Sequence, residues 1–173
     1  MLSHFFSKHT VAQGFSTPKP GESHKIFGAD EGTWKCEVGI YINGPDGPPE
    51  KYTATDVNKL VSSGFYLKWE SKSKMVDQDF EGHGLIGYKP KKKRYDRMWV
   101  DNFIEAPTRM AGRYNKVKKI FIVTGNVQDQ EGSVMKRKRV TTHLDDMAKR
   151  FEIFLVVEAD DKEMEIKLMS MKQ

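Results

Sequence analysis

The sequence predicts an all-β protein, a single antiparallel barrel of about ten strands with a short helix near its N-terminus. Three observations predict it. Apolar and polar residues alternate with a period of two along most of the chain, and no stretch sustains a helical period. Clusters of Gly, Pro, Asn and Asp interrupt the alternation at near-regular intervals. The resulting meander has edges, and closure into a barrel is the simplest way to hide them.

Taken in order, residues 1–20 read as a flexible N-terminal arm, and residues 21–173 as the barrel domain. The apolar residues Leu2, Phe5 and Phe6 are too interrupted to form the core of a signal peptide. Gly21 to Gly32 has the composition of a short helix. In the strand 32–42, Trp34, Cys36, Val38, Ile40 and Ile42 share one face, opposite Lys35, Glu37 and Tyr41. Asn43 to Pro49, with two Gly and three Pro, is a loop. Strands follow at 52–58 and 64–71, the second with Phe65, Leu67 and Trp69 opposed to Tyr66, Lys68 and Glu70.

Asp79 to Phe103 reads as a hairpin. Pro90 lacks an amide donor and precedes Lys91, Lys92, Lys93 and Arg94, a composition suited to a solvated tip. Phe80, Gly82, Gly84, Ile86 and Tyr88 alternate on one arm, and Tyr95, Arg97, Trp99, Asp101 and Phe103 on the other. Pairing Tyr88 with Tyr95 sets Trp99 opposite Gly84, where a glycine makes room for the ring. A register shifted by one residue puts His83 on the face of Trp99 and Asp101 instead, and the pattern alone admits both. Further strands are expected at 108–114, 118–125, 133–142, 151–158 and 163–171. The pairs Asp145-Asp146 and Asp160-Asp161 read as turn residues rather than paired catalytic carboxylates.

At 173 residues, one domain with a substantial core is the natural size. Charged residues make up 31% and hydrophobic residues 38%, the balance of a sheet wetted on one face. The lone Cys36 excludes an internal disulfide and fits a reducing, cytoplasmic compartment. No stretch approaches the ~20 apolar residues of a membrane helix. The net charge of +5 is modest, and acidic residues interleave with the basic clusters at 89–94, 116–119 and 136–139. Those clusters read as solvated turns and outer strand faces, so no nucleic-acid partner is expected.

Several short runs, in this order, resemble one family: Gly32-Thr33-Trp34, Asn58-Lys59-Leu60, Glu81-Gly82-His83-Gly84-Leu85-Ile86-Gly87-Tyr88, Trp99-Val100-Asp101, Arg139-Val140-Thr141 and Lys162-Glu163-Met164-Glu165-Ile166. The chain is similar, from about His24 to its C-terminus, to a bacterial family of unknown function with a calycin-like, or lipocalin-like, β-barrel. It departs from the family pattern at Ser62-Ser63-Gly64, Met75 to Asp79 and Ile104 to Arg109. The resemblance implies the barrel and no particular activity.

A barrel of this size can enclose a small ligand. The candidate ligand-binding residues are His83, Tyr88, Arg97, Trp99, Asp101 and Trp34. An inward Arg97 with Tyr88 could hold a carboxylate, His83 with Asp101 an oriented imidazole, and Trp34 either lines the interior or plugs one end. In the alternative arrangement, Arg97 and Asp101 form a cross-strand ion pair on the outer face and His83 is exposed. No Gly-x-Ser-x-Gly elbow or His-Glu-x-x-His motif is present, and the five histidines lack ligand-like spacing. No catalytic residue, metal or cofactor is assigned, with haem on one histidine kept as a minor alternative. The expected function is non-catalytic binding of a small hydrophobic or amphipathic molecule, by a monomer or homodimer. The alternatives are a structural or interaction protein with a side-chain-filled barrel and, behind it, an enzyme.

Overall fold

The computed structural model describes residues 17–42, 44, 46–75, 77–128, 132, 134–157 and 162–173. Residues 1–16 of the expected N-terminal arm and the Asp160-Asp161 turn lie outside the described residues. Ten strands follow in chain order: β1 (Gly32–Tyr41), β2 (Glu50–Val61), β3 (Tyr66–Met75), β4 (Gln78–Lys89), β5 (Arg94–Asp101), β6 (Ile104–Asn115), β7 (Ile120–Gln128), β8 (Val134–His143), β9 (Ala148–Val157) and β10 (Lys162–Lys172). Each pairs antiparallel with its sequence neighbours, and β1 pairs with β10 to close the barrel. A 3-10 turn at Glu22–His24 and a short helix α1 (Ile26–Asp30) precede β1. The all-β barrel and its N-terminal helix are therefore as the alternation and turn spacing predict.

The hairpin adopts the register with Tyr88 opposite Tyr95 and Gly84 opposite Trp99. Its tip is the 3-10 turn Pro90–Lys92, closed by Lys93 in the left-handed region. Strand limits differ from the sequence pattern where the backbone turns. β3 begins at Tyr66 because Ser62, Ser63 and Gly64 all have positive φ. β7 begins at Ile120 because Lys119 does. β9 starts earlier than expected, at Ala148, and so carries Lys149 as an inward position.

Because the strands alternate up and down, the barrel has two distinct ends. At one end, α1 lies across the opening and drives Phe27 into a core formed with Leu67, Ile86, Tyr95 and Phe121. Tyr95 Oη donates to Ser23 O at 2.7 Å, tying the preceding turn to β5. Asp30 at the end of α1 accepts hydrogen bonds from Lys149 Nζ at 2.8 Å and bonds to His143 Nε2 at 3.1 Å. Its backbone carbonyl accepts from Trp34 Nε1 at 2.9 Å and Asn58 Nδ2 at 2.8 Å. Four elements are thereby fastened to one residue. The helix plugs this end, and the basic tip at 90–93 sits at the same end.

Candidate functional site

Ten strands enclose an interior too wide to be filled by side chains reaching in from the wall. The half nearest α1 is packed; the half beyond it is not. There the interior holds a cavity of about 550 Å³ that opens at the end opposite the helix. Its walls are mostly apolar: Val38 and Ile40 from β1, Ala54 from β2, Phe80 from β4, Val127 from β7, Ile153 from β9, and Ile166 and Leu168 from β10. Ile42, Met75 and Phe103 also line it, with Ile42 and Phe103 exposed.

Its deeper part is aromatic and cationic. Trp69 of β3 and Trp99 of β5 stack with ring centroids 5.5 Å apart and planes within 17°. Glycines on β4 make this possible, because a Cβ at Gly84 would fall within the Trp69 ring and one at Gly82 within the Trp99 ring. The β-bulge between Trp99 and Asp101 turns the Asp101 carboxylate back onto the strand. There it accepts from Trp99 Nε1 at 2.6 Å and from the amides of Phe103 and Ile104 at 2.9 and 3.0 Å. Asp101 thus fixes the Trp99 ring.

Arg97 is only 5% exposed. Its guanidinium lies 4.4 Å from the Trp69 ring centroid and 5.5 Å from that of Trp99. Nη1 of Arg97 donates to Met110 Sδ at 3.5 Å. Two further arginines enter from β8: Arg137, 8% exposed, and Arg139, whose guanidinium lies 4.3 Å from the Phe151 ring. Asp56 of β2 and Ser71 of β3 add buried polar groups to the lining. Arg97, Arg139, Asp56 and Trp69 also border a small space of about 50 Å³ towards α1, which places them at the floor of the main cavity. Asp56 Oδ1 and Arg137 Nε have no hydrogen-bond partner among the described residues.

Electrostatics follow from this enclosure. Burial, and then the positive charges of Arg139 and Arg137, hold the Arg97 pKa well below its usual value, with Asp56 opposing. Burial, aided by Arg139, brings Arg137 down to about 10, while Asp101 works against the shift. Arg139 is lowered by burial against the pull of Asp56 and Asp30. A guanidinium stays protonated in proteins, so this part of the interior is positively charged. Cys36, buried on the inner face of β1 between Trp34 and Val38, is a poor nucleophile: burial and the nearby Asp56 push its thiol up to about 12.

The six candidate residues divide between three places. Arg97, Trp99 and Asp101 converge on the cavity. Trp34 and Tyr88 point inward but belong to the plugged end. Trp34 is fully buried beneath Lys149, and Tyr88 packs with Tyr95 and His24. His83 points outward, bonded to Glu81 at 3.0 Å with a side chain 41% exposed, and does not meet Asp101. The outer-face ion pair of Arg97 with Asp101 is corrected: both side chains line the interior, and Asp101 is bonded to an indole and two amides instead. The reading of 136–139 as an outer basic face is corrected too, because Arg137 and Arg139 point in while Lys136 and Lys138 point out. Among the described histidines, His24, His83 and His143, none lines the cavity, so the residues present there do not fit a histidine-ligated haem. His4 and His9 lie outside the described residues.

Sequence reasoning missed Arg137, Arg139 and Asp56. Basic residues occupy both faces of β8, so its alternation gives no phase; only pairing to β7 and β9 sets which arginines enter.

Comparison with known proteins agrees with the architecture. Residues 19–173 match the model of a family described as "Protein of unknown function (DUF1579)", and the chain belongs to that family. No curated protein matches it. Among solved structures, the S-type phycobiliprotein lyase CPES from Guillardia theta superposes with a TM-score of 0.60 at 8% identity, covering 86% of this chain and 91% of that one. A redesigned β-barrel, b11L5F_LGL, matches at a TM-score of 0.43 and 11% identity, over 90% of this chain and 99% of that one. At such identities the lyase shares the fold alone. No helix among the described residues is long and apolar enough to cross a membrane.

Proposed function

We propose that this barrel is a non-catalytic binder that holds one small apolar or amphipathic molecule in its interior. The observation that carries the reading is the cavity of about 550 Å³, plugged at one end, open at the other and walled by aliphatic and aromatic side chains. That volume lies within the ~300–1,000 Å³ typical of small-molecule sites. An apolar lining of this extent gains free energy when water in it is replaced by a ligand. The same observation weighs against the side-chain-filled barrel, because the open half of the interior is not filled. It also weighs against an enzyme: arginines dominate the buried polar lining, and no described histidine lines the cavity to activate the Ser71 hydroxyl found there. The fold shared with a phycobiliprotein lyase supports the architecture, and no activity is carried over from it. The lone buried Cys36 accords with a reducing compartment, and the proposal places the protein in the cytoplasm.

The test uses N-phenyl-1-naphthylamine, an uncharged fluorescent probe. The wild-type protein is expected to bind it with a stoichiometry of one per chain. Ala54 is buried on the cavity wall, so Ala54→Trp fills the space without touching the plug. That variant, folded by circular dichroism, is expected to lose at least about tenfold in probe affinity, the equivalent of ~1.4 kcal/mol. Equal binding by the two proteins places the probe elsewhere and overturns the reading.

A further inference from the structure

Resting on that reading, we infer that the ligand is an amphipathic monoanion, a carboxylate, sulfonate or phosphodiester on an apolar body, which enters head first and sets its negative charge among Arg97, Arg137 and Arg139. Three facts about the floor lead there. The first is charge. Three guanidiniums face the interior against two carboxylates, Asp56 and Asp101, since Glu50 stands exposed at the opening. The interior therefore carries an excess of one positive charge. Asp101 acts on Arg137 through its charge, but its oxygens are already taken by the Trp99 indole and two backbone amides.

The second is pairing. No described carboxylate forms an ion pair with any of the three arginines. Arg97 rests on tryptophan faces and a thioether, Arg139 on a phenylalanine face, and Arg137 leaves Nε without a partner although it is more than nine-tenths buried. Buried charges in proteins are paired or bind something, because an unmatched one costs several kcal/mol. Contrast the plugged end, where the buried Lys149 is answered by Asp30 at 2.8 Å. The same chain matches an interior cation where nothing is to be bound and leaves three unmatched where the cavity is.

The third is position. Arg97 and Arg139 lie at the floor, Arg137 stands one inward position nearer the opening on β8, and apolar side chains line the way out to exposed Ile42 and Phe103. A molecule charged at one end and apolar along its length matches this order only with its charge innermost. Guanidinium forks suit carboxylate, sulfonate and phosphate oxygens alike through paired N–H donors. An excess of one charge, rather than two or three, selects a single acidic group.

The test compares two probes with one aryl-amine skeleton. 8-Anilino-1-naphthalenesulfonate carries a sulfonate, and N-phenyl-1-naphthylamine carries none. The wild-type protein is expected to bind the sulfonate at least about tenfold more tightly, since hydrogen bonds to charged groups contribute about that much. The preference should shrink in Arg137→Gln, through a loss of affinity for the sulfonate relative to the neutral probe. Ala54→Trp should abolish binding of both, which separates the cavity from basic turns on the surface. If wild-type protein binds both probes alike, the anionic head is overturned and the cavity reading stands, a result that needs no variant to fold. Sulfonate binding that survives Ala54→Trp also overturns it. If neither probe binds, both readings fall.

Discussion

Gly84 carries no side chain because the Trp69 ring occupies its space. It lies opposite Trp69 on one side and Trp99 on the other, and the two rings stack over it and Gly82. Gly84→Ala should therefore cost about 1–3 kcal/mol by overpacking, measured as a lower midpoint in urea, and should alter tryptophan fluorescence. An unchanged midpoint would mean that the rings move aside freely and do not frame the site. The opposition of Gly84 to Trp99 was legible in the sequence as one of the two registers that the alternation admits. The arginines of β8 were not. Charge on both faces of Lys136 to Arg139 gives alternation no direction, and the pairing that settles it comes from strands elsewhere in the chain.

At the scale of elements, the plug depends on α1 being held by Asp30. Lys149 is 2% exposed, and its charge is answered by this carboxylate at 2.8 Å while it also sits 3.8 Å from the Trp34 ring centroid. Burial by itself would raise the Asp30 pKa, but the Lys149 charge and the His143 and Lys149 hydrogen bonds outweigh it and hold the group far below the usual carboxylate range. A depressed carboxylate pKa stabilises the fold above the unfolded-chain value near ~4, and that contribution is lost as pH falls below it. Asp30→Asn should cost about 3 kcal/mol or more at neutral pH, because it leaves the buried ammonium uncompensated. Its melting temperature should also fall less steeply than the wild-type value below about pH 4. Equal melting temperatures at pH 7 would show that the helix is held by Phe27 alone. A short helix near one mouth was visible in Gly21 to Gly32. Its latch was not, since Asp30 meets partners 113 and 119 residues away.

The whole molecule divides its interior between stability and binding. Antiparallel closure satisfies every strand's neighbours without an edge, and the core cluster around Phe27, Leu67, Tyr95 and Phe121 fills the half nearest the plug. The other half is left open, lined by aliphatic side chains above a cationic floor. The most direct measurement of this account is a methyl-resolved NMR titration of the wild-type protein with N-phenyl-1-naphthylamine. Binding in the interior predicts shifts for Val38, Ile40, Val127, Ile153, Ile166 and Leu168, which line the cavity, and none for Val117, Ile122 or Leu144 on the exterior. Shifts confined to the exterior methyls, or none at saturating probe, would contradict it.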